Sequence, residues 1–77
     1  MKIKLSQLEI GKSGTVTFVA GEGKLRRRLF DMGITPGTEI FVRKKAPLGD
    51  PIEVTLRGYE VALRKSEASL VTVEETK

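Results

Sequence analysis

Hydrophobic and polar positions alternate along several short stretches of this chain and fall into helical spacing over only one. Residues 14–20, GTVTFVA, put Val16 and Phe18 on one face, the period-two signature of a half-buried strand. Residues 39–44, EIFVRK, repeat the pattern with Ile40 and Val42 inward. Two further alternating runs, 52–56 and 59–63, flank Arg57-Gly58, and residues 70–73 form the last strand. The terminal EETK is expected to fray, so that residues 73–77 lie loose. Gly21-Glu22-Gly23 is a flexible break, and residues 24–32 behind it carry the one helical candidate.

The central hairpin can be registered from its turn. A two-residue X-Gly loop favours a tight primed turn. It sets Leu56 opposite Tyr59, Val54 opposite Val61 and Ile52 opposite Leu63, apolar on both sides. Glu53, Thr55, Glu60, Ala62 and Arg64 take the other face. A slip of one residue would mix the two faces, so pattern and turn agree on the register.

At about 100° per residue, with Leu25 at zero, Leu29 falls at about 40° and Met32 at about 340°. Leu25, Leu29 and Met32 are therefore expected to form one buried stripe. Arg26, Arg27 and Arg28 fall about 100° apart and cannot share a face. They should wrap the solvent side, with at least one stem packed along the core edge. Phe30 lies off the stripe, close to Arg26. Either a loop covers it, or it is an apolar anchor ringed by arginines, the composition of a protein–protein contact. Gly33 suits the left-handed residue that ends a helix, with Ile34 set to touch Leu29 in a Schellman motif. Pro36-Gly37 suits a type II turn before the next strand. Residues 46–51, APLGDP, read as a loop whose Leu48 has no evident core role.

About five short strands and one short helix, inserted after the first strand, predict a mostly β fold: a small barrel of SH3-like or OB-like type. Periodicity does not separate the two. Seventy-seven residues make a single domain with a modest core.

Composition narrows the chemistry. The chain has no cysteine and no histidine, so it offers no disulfide, no thiolate or imidazole ligand and no group titrating near neutrality. The longest apolar runs fall far short of a membrane span, and no apolar segment follows the basic start, which reads as a cytoplasmic protein. No phosphate-cradling glycine loop is present; Gly21-Glu22-Gly23 lacks the required frame. Ser66 and Glu67 read as a polar turn into the last strand. Catalysis is not expected, nor any cofactor. Carboxylates are the only candidate metal ligands: Asp31, Glu39, Asp50, Glu53, Glu60 and Glu67. No two have the spacing of a known site, and no metal site is assigned.

Fourteen basic against ten acidic residues give a net charge of +4, which fits nucleic acid, an acidic protein partner, a membrane surface or an ordinary soluble domain. Lys24, Arg26, Arg27, Arg28, Arg43, Lys44 and Lys45 would supply charge to a nucleic-acid groove. Such grooves also need exposed aromatics for stacking, and Phe18 and Tyr59 are expected in the core. A groove for proline-rich peptide is poorer still.

Residues 26–68, RRRLFDMGITPGTEIFVRKKAPLGDPIEVTLRGYEVALRKSEA, resemble the FeoA family, small cytosolic proteins of bacterial ferrous iron transport. A basic pair precedes an apolar pair and Asp-Met-Gly. A Pro-Gly-Thr turn, APLGDP, a strand and RGYEVALRKSEA follow in order. LSQLEIGKSGTV near the start is also similar to the family's entry segment. The resemblance implies an SH3-like barrel and a non-catalytic regulatory or adaptor role in ferrous iron uptake. The implied partner is FeoB, through its cytosolic GTPase region or other cytosolic segments. The same fold serves as the C-terminal domain of some metal-dependent repressors, so nucleic-acid binding or a metal-binding domain of that type are the alternatives. The chain carries no DNA-binding domain, which favours the stand-alone protein. The expected docking residues are Arg26, Arg27, Phe30 and Asp31 on the helix, and Pro47, Leu48, Gly49 and Asp50 in the loop. Open edge strands could also pair weakly between copies.

Overall fold

The computed structural model describes residues 1–76. Its strands are β1 (Lys2–Lys4), β2 (Ser13–Val19), β3 (Glu39–Lys45), β4 (Ile52–Leu56), β5 (Tyr59–Leu63) and β6 (Val71–Thr76). They form one antiparallel sheet in the order β1-β6-β2-β3-β4-β5. Helix α1 (Gly23–Asp31) follows β2, and a one-turn helix α2 (Lys65–Ala68) joins β5 to β6. The sheet curls around a single core in which Val16, Ile40, Val54, Leu63 and Val73 meet Leu29 of α1 and Leu5 and Leu8 of the N-terminal turn.

The hairpin has the expected register, Leu56↔Tyr59, Val54↔Val61 and Ile52↔Leu63. Arg57 (φ 48°) and Gly58 (φ 84°) both take positive φ, as a type I′ turn requires. The end of α1 is also as expected. Ile34 N–H donates to Leu29 O at 3.0 Å and Gly33 N–H to Phe30 O at 2.9 Å, the two bonds of a Schellman motif. Ile34 and Leu29 are both fully buried. Thr38 N–H donates to Thr35 O at 3.0 Å across Pro36-Gly37, closing that turn.

Several expectations fail for physical reasons. The described residues form a mostly β fold with six strands where about five are expected: the added one, β1, has three residues and a single half-buried apolar one, Ile3, too little for a pattern to show. The last strand runs through Thr76 rather than ending at Val73. It is an interior strand, so Glu74 pairs with Lys2 of β1 and Glu75 with Gly14 of β2. The expectation for Lys77 lies outside the described residues. A bulge between Val16 and Phe18 breaks the alternation of β2; Val19 takes the core side and Phe18 is 58% exposed. Residues 65–68, expected as a polar turn, form α2, and Glu67 is buried there. In α1 only Leu29 is fully buried; Leu25 is exposed and Met32 half-buried. A nine-residue helix lying on a small core touches it through little more than one turn.

Candidate partner-docking face

The three arginines of α1 leave the helix in three directions, as their spacing requires. Arg26 turns back toward β2: its Nε donates to Val19 O at 3.1 Å, and its guanidinium carbon lies 4.4 Å from the centre of the Phe30 ring. Phe30 is half-buried against the core. It is thus not bare. Its own neighbour one turn away covers it through a cation–π contact. Arg28 turns toward α2, its Nε 3.5 Å from Glu67 Oε2. Arg27 is exposed and, among the described residues, has no carboxylate within ion-pair distance. Asp31 is exposed at the last turn.

The helix is held at its C-terminal end by the β4–β5 hairpin. Tyr59 Oη donates to Met32 O. The Arg57 guanidinium donates to Thr38 Oγ1 at 3.0 Å, Thr35 Oγ1 at 3.2 Å and Gly33 O at 3.4 Å. A cation at the C-terminal end of a helix also suits its dipole.

The loop at 46–51 is closed by its own backbone, Gly49 N–H to Ala46 O at 2.7 Å and Ala46 N–H to Pro51 O at 3.0 Å. Leu48 stands at its tip, 93% exposed. Asp50 Oδ1 accepts from Lys65 N–H at 3.0 Å, tying the loop to the start of α2. A shallow groove of about 290 Å³ separates loop and helix, with Arg28 and Asp50 both in its wall. Pro51, Ala62, Leu63, Arg64 and Glu67 complete it. The groove joins the two stretches that the sequence singles out separately, although Asp50 alone of their eight residues lines it. Sequence reasoning assigns none of the other lining residues to a docking site, weighing Arg28 as charge for nucleic acid and Glu67 as a metal ligand. Glu67 is three positions after Arg64, the spacing at which a side chain caps the backbone that precedes it. Its Oε1 accepts from Arg64 N–H at 2.9 Å.

The carboxylates considered as metal ligands are dispersed. Glu60 pairs with Arg43 at 2.8 Å, while Glu67 and Asp50 are engaged as described. Among the described residues no three acidic side chains converge. The case against nucleic acid also changes its basis. Phe18, Phe41 and Tyr59 are all at least 40% exposed, so the two aromatics expected in the core are in fact outside it. They do not form a stacking platform. Phe41 pairs with Ser13, which puts Phe18 about 17 Å further along the strand at about 3.4 Å per residue. Tyr59 spends its hydroxyl on Met32. Among the described residues no helix is long and apolar enough to cross a membrane.

The FeoA domain family model matches residues 3–75. A Porphyromonas gingivalis protein described as a fusion of Fe(2+) transport protein A with the Fe(2+) transporter FeoB is 36% identical over 72 residues. That match takes in 94% of this chain and 8% of the fusion's length. The solution structure of a FeoA-like protein from Clostridium acetobutylicum is 47% identical, with a TM-score of 0.92, covering 99% of this chain and 88% of that one. The zinc complex of Stenotrophomonas maltophilia FeoA is 33% identical, with a TM-score of 0.81, covering 94% and 89%. That protein is described as a prokaryotic SH3 domain protein and proposed as a ferrous iron transport activating factor.

Proposed function

This chain belongs to the FeoA family, and from that premise we propose that it is a non-catalytic adaptor of bacterial ferrous iron uptake, docking on the cytosolic part of FeoB. The observation that carries the reading is the Porphyromonas gingivalis fusion, in which a domain of this kind is covalently joined to the transporter. Two domains fused in one chain work beside each other, and a separate chain of the same family must find its transporter by surface contact. The place of action is accordingly the cytoplasm.

The surface assigned to that contact is the outer side of α1 with the loop at 46–51. Among the described residues Arg27 has no carboxylate partner, and Leu48 is an apolar side chain held in water by a closed loop. Arginine and an exposed apolar anchor are the usual carriers of interface energy. The contact is small, which suits a transient regulatory encounter. Calorimetric titration of the FeoB cytosolic domain with Leu48→Ala and Arg27→Glu tests it. Each variant should keep its fold and weaken binding by about 5- to 30-fold, the loss of roughly 1–2 kcal/mol expected for an anchor. Unchanged affinity in both would contradict the assigned surface. A steep, log-linear loss of binding to single-stranded nucleic acid with salt, in place of transporter binding, would favour the nucleic-acid reading.

A further inference from the structure

The two outer strands of the sheet are unlike. β1 is three residues long and carries Lys2 and Lys4, shortness and lysine being two ways of blunting an edge. β5 spans five residues in unbroken register with β4 and contains no lysine, proline or bulge. In a two-residue hairpin the pair beside the turn is hydrogen-bonded, so Tyr59, Val61 and Leu63 direct their backbone groups to β4. The amides and carbonyls of Glu60 and Ala62 point outward, and among the described residues none finds a partner in the chain. Backbone groups left so are kept where water or another chain reaches them.

Burial across the hairpin points the same way. Val54 and Leu56 of β4 are 0% and 2% exposed. Their partners on the same inner face are not buried: Tyr59 is 42% exposed and Val61 only half-buried. The inner face of β5 is thus open at its turn end, at Tyr59 and Val61, while Leu63 at the other end is fully buried.

We propose that β5 pairs with β5 of a second copy of this chain, antiparallel about a two-fold axis through Val61. The outward backbone groups set the register: Glu60 of each copy exchanges both hydrogen bonds with Ala62 of the other, and Val61 faces Val61. The register is self-complementary, as an isologous contact must be. Glu60 is the only charged side chain on the strand; it meets the methyl group of Ala62 and not its own counterpart, and Arg43 already neutralises it. Val61, half-buried in the single chain, gains Val61 of the other copy as its inner-face neighbour. This pairing does not rest on the identity of the protein that α1 and the loop at 46–51 contact, although Ala62 also lines the groove between them.

The chain has no cysteine, which makes a single introduced thiol a clean reporter. Directly opposed residues of a non-hydrogen-bonded antiparallel pair have Cα atoms about 4.5 Å apart, within disulfide reach. Val61→Cys should therefore oxidise to a dimer at least about tenfold faster than Leu48→Cys, an exposed site with no assigned self-contact, because pairing raises the effective thiol concentration. Adding Ala62→Glu to Val61→Cys sets like charges against Glu60 of the second copy and should return the rate to that of Leu48→Cys. Adding Ala62→Lys sets opposite charges there and should keep the rate high. The unmodified chain should sediment as a monomer–dimer mixture that shifts with concentration, and the Ala62→Glu single variant as monomer. Equal rates for Val61→Cys and Leu48→Cys would overturn the proposal. So would equal effects of the two Ala62 substitutions, or a monomer at all concentrations; in that last case the edge is left to a strand of another protein.

Discussion

Arg57 sits at the tip of the β4–β5 hairpin with φ 48°, and its guanidinium donates to the buried Thr38 Oγ1 at 3.0 Å. The same hydroxyl donates to Gly33 O at 3.1 Å, so one arginine links the hairpin turn to the end of α1 and the start of β3. The side chain stabilises and the backbone conformation costs. Arg57→Ala should destabilise by about 1–2 kcal/mol, the loss of charge-assisted hydrogen bonds at a partly exposed site. Arg57→Gly loses the same bonds but recovers about 1 kcal/mol of left-handed backbone cost. Glycine should therefore unfold later than alanine in urea. Equal midpoints would mean that the positive φ carries no cost here.

Gly33 and Gly37 both take positive φ, 90° and 96°, but only one is crowded. A Cβ on Gly33 would lie 2.7 Å from Tyr59 Oη and 3.3 Å from Leu56 Cδ1, whereas one on Gly37 would meet nothing within 4 Å. Gly37→Ala should cost about 1–2 kcal/mol from backbone conformation alone. Gly33→Ala adds the displacement of Tyr59 from Met32, for about 2–4 kcal/mol in all. In a domain of this size each kcal/mol shifts Tm by about 4–8 °C, so thermal scans resolve the two. A smaller loss at Gly33 than at Gly37 would contradict the docking of hairpin on helix.

Glu67 and Arg28 form an ion pair whose partners differ in burial, 6% and 68% side-chain exposure. The separation of 3.5 Å and the exposed arginine limit the pair itself to less than about 1 kcal/mol, so Arg28→Ala should be nearly silent in stability. Glu67→Ala leaves the Arg64 amide without its acceptor in a part-buried setting and should cost about 1–2 kcal/mol. Glu67→Gln keeps an acceptor for that amide and should fall within about 1 kcal/mol of the parent. Chemical denaturation of the three variants checks the order. A glutamine variant as unstable as the alanine one would give the weight to the charge and not to the cap.

Local rules read the hairpin and the end of α1 correctly because each was specified twice. Arg57-Gly58 and the alternation around it give one register, and Gly33, Ile34 and Pro36-Gly37 give one helix stop. Phe18 was misplaced because a bulge shifts the face of a strand without leaving a mark in the alternation up to Val16. Tyr59 was misplaced because its apolar partner Leu56 says nothing about whether a further strand covers it. Leu25 and Met32 followed a helical stripe wider than the core beneath the helix. The groove was illegible because Arg28, Asp50 and Glu67 are far apart in sequence, and only the packing of α1 and α2 beside the loop brings them to one wall. Leu48 was legible, since an apolar residue between turn formers has nowhere inward to go.

The central claim is that α1 and the loop at 46–51 together form the docking face for the transporter. The direct measurement is an amide chemical-shift titration of the isotopically labelled chain with the FeoB cytosolic domain. Saturable shifts concentrated on residues 24–32 and 46–51 are expected, with the groove residues Arg64 and Glu67 following. No shifts at saturating FeoB domain with the chain folded, or shifts confined to other strands, would contradict it.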